Sequence, residues 1–249
     1  MRVSVRDVSY PPPSDHGAGW ATAVLLGWTG LDVSPSDLAP FFGGDNPHRA
    51  AVRAVRRHGR LAYPLEDWSA ILGELAAGHP VLVGIDEGDG RSPASMVAVG
   101  YDLAEGWVMT HSSQVAQERH ALARLGETWV KGGAWALVVL PPGDLPATVE
   151  EDDYLEAAAG LEKDGPAWEA VIALDSALAL WNDSVQALVG LGRSLFALGD
   201  RKGAEEAFAA ASSLTDDPGI RRWRWAILQA GLSSTAEGGG PRGAGAARN

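Results

Sequence analysis

Displaced by 34 residues, the C-terminal part of this 249-residue chain falls onto itself. Tyr154 then stands over Leu188, Ala158 over Gly192, Leu161 over Leu195 and Gly165 over Gly199. The same offset sets Ala170 over Ala204, Leu174 over Phe208 and Ala177 over Ala211. Self-similarity at such a period marks a helix–turn–helix unit that buries its apolar face against its own copy. The matched positions are small or apolar, which lets helices approach closely, and Gly165 and Gly199 fall where each hairpin should turn. Residues 220–232, with Trp223, Trp225 and Ile227, read as the helix that closes the array, the two tryptophans packing on the last unit.

The repeat does not reach the first part of the chain. Composition shifts near Pro141, where Pro141, Pro142, Gly143 and Pro146 make a stiff linker, because proline lacks the donor that helix and sheet both need. The expected division is a first domain over 1–143, helical repeats over 144–232 and a tail over 233–249 too poor in apolar residues to fold. Before the linker, apolar spacing predicts helices over 19–30, 47–59, 66–78 and 121–131, with Ser34 capping a further helix from Pro35. Runs of strand length fall at 80–85, 95–101, 106–111 and 134–140. Helices first and a meandering sheet later is an α+β arrangement.

Composition narrows the chemistry. Twenty Lys and Arg against 32 Asp and Glu give a net charge of −12, which disfavours phosphate backbones and anionic lipid, so neither nucleic acid nor membrane is an expected partner. Residues 1–9 carry charge and no apolar core, so no secretory signal is expected; with the acidic balance this favours the cytoplasm. There is no cysteine, which removes disulfides, thiolate metal sites and every cysteine nucleophile.

Several segments resemble the papain-like cysteine peptidases that process double-glycine leader peptides, in the branch with C-terminal tetratricopeptide repeats. They are Arg56-Arg57-His58-Gly59-Arg60-Leu61-Ala62-Tyr63, Ala77-Gly78-His79-Pro80-Val81-Leu82-Val83, Val97-Ala98-Val99-Gly100-Tyr101-Asp102-Leu103 and Trp135 through Gly143. The 34-residue units resemble the tetratricopeptide family itself. The resemblance implies a papain-like fold, helices packed on an antiparallel sheet, followed by an all-α tetratricopeptide-like domain. It also implies a cysteine at the start of the first long helix, where the helix dipole stabilises a thiolate, a histidine from a core strand and an oxyanion glutamine upstream. Here the nucleophile position is Gly17, the histidine slot falls on Ala94, and the first glutamine of the chain is Gln114. All three roles are vacant, which implies a pseudopeptidase.

Other residues could have taken over. His111-Ser112 offers a base and a hydroxyl, yet neighbours on an extended chain point to opposite faces and should not engage. Asp15-His16 could orient an imidazole before the first helix, although an Asp there is more often a cap. Residues 86–90 have the look of a calcium loop but lack the closing acid, position 97 being Val. Six histidines show no pair at helical ligand spacing, so neither metal nor cofactor is expected. Arg49, Arg53, Arg56, Arg57 and Arg60 form a basic cluster that either receives an anionic partner or is a solvated helix face. Trp20 and Trp107 are less clearly committed to packing than the other tryptophans.

The expectation is a non-catalytic protein that holds an extended peptide or leader-like ligand in the vacated cleft, with the repeats serving a protein partner or bracing the first domain. An enzyme of another class reusing the cleft, and a structural subunit, are the alternatives. The candidate ligand contacts are Asp15, His16, Gly17, Ala18, Trp20, Ala94, Ser95, His111 and Ser112.

Overall fold

The computed structural model describes residues 1–12, 17–44, 46–86 and 94–237, with side chains through Ile227. It is an α+β structure, helices packed on an antiparallel sheet, followed by helices alone. The first part holds β1 (Arg2–Ser4), α1 (Gly17–Trp28), α2 (Pro35–Leu38), α3 (Pro47–Arg57), β2 (Leu61–Leu65) and α4 (Trp68–Ala77). Then come β3 (Val81–Ile85), β4 (Ala94–Asp102), β5 (Trp107–His111), β6 (Glu118–Ala121), α5 (Leu122–Lys131) and β7 (Ala136–Leu140).

Strand order is β2-β7-β3-β4-β5-β6, every pair antiparallel. The last strand in sequence, β7, is thus inserted between β2 and β3, and the sheet is not the simple meander expected. Both β3 and β7 are buried along their whole length, which is why they read as unbroken apolar runs rather than alternating ones. Long β4 pairs with β3 through its first half and with β1 through its second, along the same edge. Gly100 permits this, because a Cβ there would lie 2.5 Å from the Val3 carbonyl oxygen.

Three strands were not expected. The β2 strand contains Pro64 and lies at one border of the sheet, where a missing donor costs no ladder bond. At the other border β6 carries Glu118, Arg119 and His120, a charged edge that discourages further pairing. Strand β1 is only Arg-Val-Ser.

Helix ends follow the sequence closely. Ser34 forms a reciprocal capping box with Asp37, Asn46 caps α3 ahead of Pro47, and Asp67 caps α4 by accepting from the Ala70 N–H at 2.7 Å. Gly78 ends α4 in the left-handed conformation at φ 94°. Helix α1 is buried from Gly19 through Leu26, so it runs through the core instead of lying on it.

The second part comprises α6 (Glu151–Asp164), α7 (Ala167–Leu180), α8 (Val185–Ala197), α9 (Arg201–Leu214) and α10 (Pro218–Glu237). Glu151 and Val185, like Ala167 and Arg201, are 34 residues apart, so the period in the sequence is the period of the helices. Each helix packs on the next. Gly192 lets α8 and α9 close, since a Cβ there would meet the Phe208 ring at 2.7 Å. Trp223 stacks on that ring at 5.8 Å. Helix α10 continues to Glu237, so the first residues of the segment expected to be a tail are helical.

The linker does not interrupt the core. Tyr154, Leu155, Ala158, Leu161, Ala170 and Leu174 bury into the same cluster as the sheet, while α9 and α10 form a smaller cluster around Phe208. Glu74, fully buried on α4, fastens the linker: its Oε1 accepts from Thr148 N and Oγ1 at 2.8 Å each, and its Oε2 from His79 Nδ1 at 2.6 Å. Burial pushes this carboxyl up, but the hydrogen bonds outweigh burial and hold it below the usual carboxylate range. Tyr63 adds two bonds, donating to the Thr148 carbonyl at 3.2 Å and accepting from Glu150 N at 3.0 Å.

Candidate functional site

The N-terminus of α1 is the place where the resemblance puts a nucleophile. The first turn of an α-helix leaves backbone N–H groups without intrahelical acceptors, so this point attracts electron-rich ligand atoms. Gly17 and Ala18 are half-buried there. Among the described residues, the one heavy atom within 4 Å of a Cβ built on Gly17 is Ser113 Oγ, at 3.9 Å. Among the described residues the position is therefore small, uncrowded and adjacent to the end of β5.

Two contacts turn α1 toward β5. Trp20 meets Tyr10 edge-to-face at 5.1 Å between centroids, and Tyr10 meets His111 at 5.6 Å. Tyr10 Oη also donates to the Ser112 carbonyl at 3.0 Å, tying the N-terminal segment to the strand exit. His111 thus lies on the α1 side of the sheet. Cross-strand pairing sets Val97 opposite His111, and alternation along β4 then puts Ser95 on that side as well.

The same alternation corrects one expectation. Ala94, the slot read as that of the missing histidine, is exposed and points to the opposite face from His111. Ser95, the next residue, faces the α1 side; it is buried, with an Oγ that has no hydrogen-bond partner among the described residues. Trp20 is corrected too. It is fully buried and packed in the core, so it shapes the site from behind and cannot touch a ligand there. Ser112 is spent on a tight turn, accepting from the Gln114 and Val115 N–H groups at 3.4 and 3.1 Å. Asp15 and His16 lie outside the described residues, as does most of the calcium-like segment after Asp86.

His111 itself is almost buried, and desolvation holds its imidazole below the usual range, so the ring is neutral at pH 7. Its Nδ1 accepts from Gln117 N at 3.1 Å. A neutral imidazole that accepts at Nδ1 carries its proton on Nε2. The ring therefore offers a hydrogen-bond donor at Nε2, not a general base. It can hold a carbonyl or carboxylate but cannot deprotonate a hydroxyl at that nitrogen. His111 also lines a cavity of about 460 Å3 with Tyr10, Val99, Met109, Gln117 and Arg119. Above its rim, the Arg2 and Arg119 guanidinium groups lie 5.7 and 4.6 Å from the Trp107 ring centroid, which commits that tryptophan to cation–π contacts.

Sequence reasoning missed Ser113 and Tyr10. The first was accessible, since it stands two residues after His111; nothing local marks the second. Among the described residues no group of three His, Asp or Glu side chains converges as a metal site, and no helix is long and apolar enough to cross a membrane.

No family model matches the chain, and no curated protein matches it. Among solved structures, one described as a "putative C39-like peptidase" from Bacillus anthracis is similar over 56% of this chain and 97% of that one, with 16% identity and a TM-score of 0.47. At that identity and score the likeness assigns this chain to no family.

Proposed function

We propose that the chain is a non-catalytic, peptidase-like binding protein. Its papain-like first part holds an extended peptide across the N-terminus of α1 and the end of β5, without cutting it. One observation carries the reading: the residue heading the buried helix is Gly17, in a chain without cysteine, near Ser113 of the strand exit whose His111 is fixed as a donor. Peptide hydrolysis by the papain route needs a thiolate and a base that accepts its proton. The chain has no thiol and, among the described residues, His111 is no such base, while the groups that would grip a peptide carbonyl remain: first-turn N–H groups, the His111 Nε2–H and the hydroxyls of Ser95 and Ser113. In this reading the ligand resembles a double-glycine leader. The tetratricopeptide-like hairpins brace the first part through α6 and α7 and leave α9 and α10 for a protein partner, with the cytoplasm as the compartment.

The test is to incubate the full chain with extended peptides, double-glycine leaders included, following tryptophan fluorescence and the mass of each peptide. Saturable binding with every peptide intact is the expected result. Cleavage products would replace the proposal with an enzymatic one, and silence toward all peptides would leave only a structural role.

A further inference from the structure

A second site lies on the other flank of the first part, between α3 and α6. Three arginines of α3, Arg49, Arg53 and Arg56, are spaced so that they fall on one helix face. They border a cavity of about 280 Å3 whose floor is apolar, made by Val52, Ala62, Pro64, Leu137 and Ala157. Arg56 is fixed in place. Its guanidinium lies across the backbone of α6 at Gly160, where a Cβ would sit 2.0 Å from Cζ, and it pairs with Asp164 at 3.5 Å. Its Nε is buried and has no partner among the described residues. Arg49 and Arg53 form no ion pair with any described carboxylate, although Glu156 also lines the cavity. Beside them His48 stacks on Trp135 at 4.6 Å; burial and the charges of Arg49 and Arg56 hold its imidazole below the usual range and hence neutral. Three guanidinium groups therefore face two carboxylates, on a protein that is acidic overall.

We propose that this cavity binds a small organic anion, a carboxylate or phosphate monoester carried on an apolar body. The head group sits between Arg49 and Arg53, where forked donors match its geometry, and the body covers the floor. Such a ligand bridges α3 of the first part and α6 of the second. The site is independent of the peptide site at Gly17 and survives that proposal's failure.

The experiment is calorimetric titration of the full chain with phenyl phosphate, benzoate and the neutral benzyl alcohol. Expected is saturable binding of at least one anion and none of benzyl alcohol. Affinity should fall at least about tenfold in the Arg49→Ala/Arg53→Ala variant, whose two sites are exposed, and stay unchanged in Arg57→Ala, an exposed arginine outside the cavity. The ratio of the two anions identifies the head group. No binding of either anion, or equal loss in Arg57→Ala, would overturn the proposal.

Discussion

Buried polar groups serve two ends in this molecule, and the linker and the face of α1 show the difference. At the linker they are saturated: the Glu74 carboxylate accepts three hydrogen bonds and the Tyr63 hydroxyl makes two. At the α1 face, Ser95 is buried with its hydroxyl unpaired among the described residues, and His111 is held neutral with one nitrogen occupied. Satisfied groups fasten one part of the chain to another. Unsatisfied ones cost free energy in the fold alone, and they also occur at Thr110 and Ser194, away from the α1 face. The contrast is between a linker whose buried polar groups are all paired and an α1 face whose buried serine is not, among the described residues.

The largest effect should come from the saturated cluster. Glu74→Ala leaves Thr148 and His79 without their acceptor and should cost roughly 3–5 kcal/mol of stability in chemical denaturation. The acid side of the pH profile should show the same group. Because Glu74 titrates below its unfolded value, its contribution is complete above about pH 4.5 and is lost as pH falls through the depressed value. A wild-type stability curve without an acid-side decline that Glu74→Ala flattens would break the comparison.

The α1 face should respond more weakly and in a different pH range. The unfolded chain takes up a proton on His111 near pH 6.5, while the folded chain does so only at lower pH. Stability is therefore full above that value and declines as pH falls toward the folded one. His111→Asn should remove part of the decline between pH 7 and 5, with His48, shifted the same way, supplying another part. The smallest effect is expected for Ser95→Ala, within about 0.5 kcal/mol of wild type, because the hydroxyl it removes has no hydrogen-bond partner among the described residues. A large loss there would show that Ser95 is structural after all.

The two helical hairpins explain how far the sequence could be read. Their period was visible because equivalent residues meet equivalent neighbours. The two turn glycines are not equivalent, however. Gly199 has a φ of 85° with open space around it, whereas Gly165 is extended and needed because a Cβ would press on the Arg56 carbonyl at 2.5 Å. The first hairpin is built into the sheet's core, and no local pattern announces such a long-range contact. Apolar runs likewise revealed β3, β4, β5 and β7, but not the insertion of β7 between β2 and β3. Short, polar or proline-bearing edge strands left no signal. At the site, the family resemblance pointed to Gly17 and the residue types to His111. Burial removed Trp20, and of the two neighbouring candidates Ala94 and Ser95 strand alternation leaves only Ser95 on the α1 side, because a one-residue difference in register changes the face.

The central claim is that the open position at Gly17 is a binding site without chemistry. Equilibrium titration of one extended peptide into wild type and Gly17→Trp tests it most directly, with the peptide's mass checked at saturation. The account predicts that wild type binds and leaves the peptide whole. In Gly17→Trp, an indole blocks the helix end and affinity drops at least about tenfold with little change in thermal stability. Equal affinity in both proteins, or a peptide cut by wild type, would contradict it.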